Sequence, residues 1–175
     1  MFREKFSAKK ICILAVLVAL DVVLSRFISI NTMGAKIGFS FVPVMVAAYL
    51  YGPLSAGLVG SLSDFIGAIL FPFGPYHPGF TVMAFVTGAV FGIFLRKEGP
   101  CDRRFWIRAV AAVLIDCLIV GLLVNTLWVS RLYGSKTYTG WFIYRLTQYA
   151  VMIPVQLVMA PVVKGMTVKL ERMIK

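Results

Sequence analysis

Six apolar segments follow one another along this chain, at about 11–28, 38–51, 54–71, 79–95, 107–129 and 142–163. A soluble domain of 175 residues has nowhere to hide that many, because small domains leave a large share of their surface wet. Composition agrees: 60% of residues are hydrophobic and 14% charged, with mean hydropathy +0.89, against roughly 45–50% and 25% in soluble domains. Soluble globular, disordered and coiled-coil classes are excluded, which leaves an integral membrane protein. The expected fold is all-α: one membrane domain over 1–175, a bundle of six transmembrane helices.

The breaks between segments are explicit. Tyr51-Gly52-Pro53 divides what would be one long span into two, Phe71-Pro72-Phe73-Gly74-Pro75 closes the third, and Gly99-Pro100 follows the fourth. Several segments fall short of the roughly 20 residues of a perpendicular span, so the second, the fourth and also the third are expected to be short helices whose ends meet irregular loops inside the protein. The start, MFREKFSAKK followed by an apolar run, imitates a signal peptide. Asp21 within the run, the missing A-x-A-like site and the later segments favour a retained first helix.

Charge sets the orientation. The net charge is +11. With six spans both termini lie on one side, together with the loop between the fourth and fifth. That side holds thirteen of the eighteen Lys and Arg, and the opposite side holds five: Arg26, Lys36, Arg131, Lys136 and Arg145. The positive-inside rule then puts both termini in the cytoplasm. Three juxtamembrane clusters with no aromatic interleaving do not suit nucleic acid. Cys12, Cys101 and Cys117 have neither paired nor C-x-x-C spacing, so no disulfide framework or metal site is expected.

The outer connections, about 26–38, 71–79 and 130–142, are long and rich in Gly and aromatics, which suits a lidded pocket open to the outside. Catalytic motifs do not appear. His77 has no second His and no E-x-x-H partner, there is no G-x-S-x-G, and Gly134-Ser135-Lys136-Thr137 has the wrong order for a P-loop. The expectation is not an enzyme, with no cofactor; a small intramembrane enzyme is the least favoured alternative. Asp21, Asp64 and Asp116 fall within spans, where an ionisable group is costly and marks function or internal pairing. Asp64 lies in Gly60-Ser61-Leu62-Ser63-Asp64-Phe65-Ile66-Gly67, a stretch of small residues about two turns below the outer side, and is the candidate to face a ligand. Ala15-x-x-x-Ala19 and Gly88-x-x-x-Gly92 allow close helix contact, within the chain or with a partner. Asn125, Arg145, Gln148 and Gln156 need hydrogen-bond partners, which the protein or a ligand can supply. Trp128, Tyr133, Tyr138, Trp141 and Tyr144 also suit an interfacial belt.

These stretches resemble the substrate-binding S components of energy-coupling factor (ECF) vitamin transporters, in particular the folate-specific branch. The resemblance covers essentially the whole chain. It rests on the basic amino end, Ala15-x-x-x-Ala19, Tyr51-Gly52-Pro53, Ser61-Leu62-Ser63-Asp64-Phe65-Ile66-Gly67-Ala68, Phe71-Pro72-x-Gly74, Pro78-Gly79-Phe80-Thr81 and Asn125-Thr126-Leu127-Trp128. It implies a six-helix bundle in a prokaryotic plasma membrane that captures its vitamin from outside and reorients to release it. Ala15 and Ala19 would dock on a shared transmembrane scaffold driven by two cytoplasmic ATPases, which use the ATP. The first outer loop, about Arg26 to Phe39, would act as a gate. For folate, Asp64 would accept the donor pair of the pterin, and Phe80, Tyr76 or Trp128 would stack on the ring. Arg26 and Arg145, with Lys36 and Arg131 behind them, would meet the glutamate carboxylates. Asn125, Gln148 and His77 would complete the rim. Thiamine or pantothenate is the alternative vitamin, which the basic outer side does not favour.

Overall fold

The computed structural model describes residues 7–32, 35–72, 76–96, 103–133 and 138–174. Its helices are α1 (Ala8–Arg26), α2 (Phe41–Tyr51), α3 (Pro53–Leu70), α4 (Pro78–Leu95), α5 (Arg103–Leu114), α6 (Asn125–Tyr133) and α7 (Tyr138–Ile174). A π-wound segment, Ile115–Val124, joins α5 to α6 without a break, so the described residues form six helical rods. Each rod covers one of the six apolar segments. Between α2 and α3 the chain turns on Gly52, whose φ of 81° suits a residue without Cβ, and Pro53 opens α3, where its missing N–H costs nothing.

Four rods are long and apolar enough to cross a membrane: Pro53–Leu70, Pro78–Leu95, Arg103–Leu132 and Tyr138–Arg172. α2 is apolar, but its 11 residues reach only about 16 Å, as the short segment led us to expect; α3 and α4, expected to be short as well, have 18 residues each and are long enough to cross. α1 has the length but carries Lys9, Lys10, Asp21 and Arg26.

Side-chain contacts fix the direction of the rods. At one end, here called basal, the Lys10 ammonium stands 5.0 Å from the Tyr51 ring centroid. The Lys164 ammonium stands 4.2 Å from that of Phe105 at the same end. At the distal end Arg26 Nη1 donates to the Phe71 carbonyl at 3.1 Å. The core lies toward the basal end, where Met45, Ala47 and Ala48 of α2, Ala56 of α3, Phe91 of α4, Ala109 of α5 and Ala160 of α7 are fully buried. Ile66, Ile69, Ile93 and Val158 point outward, as a helix does when lipid covers it.

α3 and α4 form the tightest pair, along a seam of glycines. A Cβ at Gly60 would sit 2.6 Å from the Ala84 carbonyl oxygen, and one at Gly57 would sit 2.8 Å from the Phe85 ring. Gly88 and Gly92 meet the α3 backbone at Ala56 and Pro53, so the Gly88-x-x-x-Gly92 pair packs within the chain. Ala15 and Ala19 do the opposite: both are exposed on the outer face of α1.

Three features depart from the sequence reading. The 26–38 connection contains a short antiparallel ribbon, β1 (Ile30–Thr32) and β2 (Ala35–Ile37), in register Ile30↔Ile37. Its β-branched Ile30, Thr32 and Ile37 favour a strand, but three residues are too few to show as a pattern. The fifth rod widens into the π segment, where the Asn125 N–H donates to the Val120 carbonyl five residues back. That wind brings Asp116 to Thr87 of α4, whose hydroxyl donates to it at 2.6 Å, and Cys117 to Gln156 of α7. Last, α7 runs eleven residues past the expected end near 163. Asp21 is also engaged inside the protein, accepting a hydrogen bond from the Ser63 hydroxyl of α3.

Candidate functional site

Polar and aromatic side chains from four helices converge at the distal end. Asp64, half-buried on α3, accepts a hydrogen bond from the Thr81 hydroxyl of α4 at 2.8 Å. Thr81 in turn lies 3.0 Å from the Tyr76 hydroxyl, in the connection before α4. The glycine seam holds α3 and α4 close enough for this bond to span them. Tyr76 also meets the Phe65 ring edge-on, with centroids 6.1 Å apart.

His77 caps α4, its Nδ1 accepting from the Gly79 N–H at 3.0 Å, which satisfies one of the free donors of a helix start. The same imidazole lies over Trp128 of α6 at 4.6 Å between centroids and 33° between planes. Phe80 meets the His77 ring edge-on at 6.3 Å. Gly79 allows this approach, since a Cβ there would sit 2.7 Å from the Trp128 indole. Tyr76, His77, Phe80, Asp64 and Trp128 are therefore brought together at the distal end.

Two groups in this cluster stand out. Asn125 Oδ1 and Trp128 Nε1 are buried and have no hydrogen-bond partner among the described residues. A buried polar group without a partner costs about 1–3 kcal/mol, and a ligand that bonds to it recovers that loss. Arg26, at the end of α1, closes the side of the cluster. Its side chain packs on Gly67 of α3, and the charges of Asp64 and Asp21 act on it.

Arg145 and Gln148 occupy a neighbouring, more enclosed position on α7. Arg145 is 4% exposed; its guanidinium donates to Tyr149 Oη at 2.9 Å and to Thr126 Oγ1 at 3.4 Å. It joins the cluster through α6, next to Asn125, and not at an open mouth. Gln148 is likewise buried. Lys36 has its backbone in β2, and its side chain lies outside the described residues, as does Lys136 altogether. Thr81 and Thr126 stand in quoted motifs but were given no role from the sequence, and Tyr149 was not singled out. The Arg145/Tyr149 spacing of four, one helical turn, was the signal for the last of them.

A bundle of apolar helices with a cluster of polar and aromatic side chains at one end defines the class of a membrane-embedded protein. The family model described as "ECF transporter, substrate-specific component" matches residues 9–164. The chain belongs to that family, the S components of ECF transporters, which are transport proteins and not enzymes. The folate transporter FolT of Clostridium novyi (strain NT) is 39% identical over 142 residues, spanning 81% of this chain and 80% of its own length. FolT of Leuconostoc mesenteroides subsp. mesenteroides is 28% identical over 156 residues, 87% of this chain and 82% of its own. A crystal structure of FolT bound with folic acid shares the fold with TM-score 0.78 and 34% identity, covering 87% of this chain and 89% of that one.

Proposed function

We propose that this chain is the folate-binding S component of an ECF-type importer. The observation that carries the reading is its likeness, over most of both chains, to a structure of FolT bound with folic acid. The distal cluster suits such a ligand chemically. Asp64 offers a carboxylate to the amino and N–H donors of a pterin, and His77 with Trp128 and Phe80 forms an aromatic wall for the ring. Asn125 Oδ1 and Trp128 Nε1 await partners. Arg26 meets the glutamate carboxylates, Lys36 and Arg131 are further cations of the outer side, and Arg145 reaches the carboxylates through its Nε, which has no partner among the described residues. Tyr76 and Gln148 complete the wall and the floor.

In this reading the six-rod bundle lies in the plasma membrane of a prokaryote with both termini in the cytoplasm and the distal end outside. The excess of Lys and Arg at the basal end supports that orientation. The exposed Ala15 and Ala19 form the face that docks on the shared scaffold, which two cytoplasmic ATPases drive; ATP is used there and not by this chain. The test is a titration of detergent-purified protein with folate, 5-formyltetrahydrofolate, thiamine and pantothenate, followed by tryptophan fluorescence. Saturable quenching by a folate at micromolar ligand or below is expected, without response to the other two vitamins. No folate response refutes the reading.

A further inference from the structure

We infer that Thr81 is a positioning residue, one that aims Asp64 at the ligand and so selects a heterocyclic edge with adjacent N–H donors; the inference rests on the folate reading above. Counting protons shows why. Across the 2.8 Å contact the Thr81 hydroxyl donates to Asp64 Oδ2. Its single proton is then committed. At the 3.0 Å contact with Tyr76, Thr81 can only accept, and the phenol must donate. The result is a directed relay, Tyr76 to Thr81 to Asp64, running from the connection before α4 through α4 to α3.

The relay settles two things at the carboxylate. A carboxylate on a free side chain turns easily, because its terminal torsion is broad. A bond to Oδ2 from a β-branched residue, itself stiff at χ1 and carried on a helix locked to α3 by glycines, fixes the carboxylate plane. It also leaves Oδ1 without a hydrogen-bond partner among the described residues, so the oxygen free to meet a ligand is always the same one. Because Thr81 has no proton left, the pair presents only acceptors. A ligand edge with two neighbouring donors is accepted there, and an edge with a lone pair facing Asp64 is repelled.

The experiment uses the full chain in detergent and two ligands, folic acid and its 2-desamino-2-methyl analogue, which lacks the exocyclic donor. Thr81→Val keeps the shape and removes the hydroxyl. It is expected to weaken folic acid about tenfold while leaving the analogue within about twofold of wild type. Thr81→Ser, which restores the donor, should recover most of the lost affinity. Thr81→Val combined with Asp64→Asn should be no weaker than Asp64→Asn alone, since Thr81 acts only through Asp64. Tyr76→Phe is the independent arm if Thr81→Val fails to fold, with a smaller loss confined to folic acid. Equal weakening of both ligands, additive losses in the double variant, or a Thr81→Val protein that binds folic acid as wild type does would overturn the inference. Wild-type protein that binds neither ligand overturns the folate reading and takes this inference with it.

Discussion

Gly60 should be the residue where packing and binding are most tightly joined. Replacing it with Ala puts a methyl 2.6 Å from the Ala84 carbonyl oxygen, where ordinary contact begins near 3.4 Å, so α4 must give way by about 0.8 Å. The oxygen is backbone and cannot swing aside. Overpacking of this kind costs about 1–3 kcal/mol. The same displacement, carried to the hydrogen bond between Thr81 and Asp64, would stretch it from 2.8 Å to about 3.6 Å, past useful range. Gly60→Ala should therefore lower the unfolding temperature of the detergent-purified protein and weaken folate binding together. The decisive comparison is with Gly165→Ala inside α7, where an added Cβ meets nothing within 4 Å, so affinity should not move and the unfolding temperature should not fall. A Gly60→Ala protein with wild-type unfolding temperature and wild-type affinity would refute the idea that the glycine seam sets the geometry of the site.

Other outcomes follow from contacts already described. Ala15→Trp, on an exposed face, should abolish co-purification with the ECF scaffold and leave folate affinity unchanged; loss of both would mean that α1 packs differently. Ser63→Ala removes the hydroxyl that donates to buried Asp21 and should destabilise by about 1–3 kcal/mol, with Ser63→Thr intermediate, as read by thermal unfolding. Gly52→Val places a branched side chain at φ 81° and against Arg96, and should lower expression and stability more than Gly52→Ala. His77→Ala removes both the cap on α4 and the ring over Trp128; indole fluorescence of the free protein should change, and binding should weaken.

The sequence carried the rods because each is bounded by residues with one local meaning, such as Gly52 with its positive φ and Pro53 at a helix start. It also carried Asp64, Tyr76, His77, Phe80 and Trp128 to the same end, since alternating spans fix which segment ends meet. What it could not carry depends on the angle of one helix about its own axis. Arg145 belongs to the right helix and the right turn, yet faces Thr126 and Tyr149 inside the bundle. Thr81 reads as an ordinary residue after Phe80 until the glycine seam brings it level with Asp64. The π winding has no sequence signature of its own, although it sets how Asp116, Cys117 and Gly121 meet α4 and α7.

The length of α7 has a consequence for motion. Its 37 residues extend about 55 Å, whereas a bilayer with its headgroups is about 40–45 Å thick. An upright α7 keeps Lys169 and Arg172 in water, and Lys164 sits at the edge with its ammonium over Phe105. Tilting the bundle works against this arrangement. The rod shortens along the membrane normal, and its charged foot is drawn toward hydrocarbon, at a cost of about 2.5–3.5 kcal/mol for each charge that reaches the centre. The foot acts as a keel: its charges oppose any tilt that would carry them into hydrocarbon.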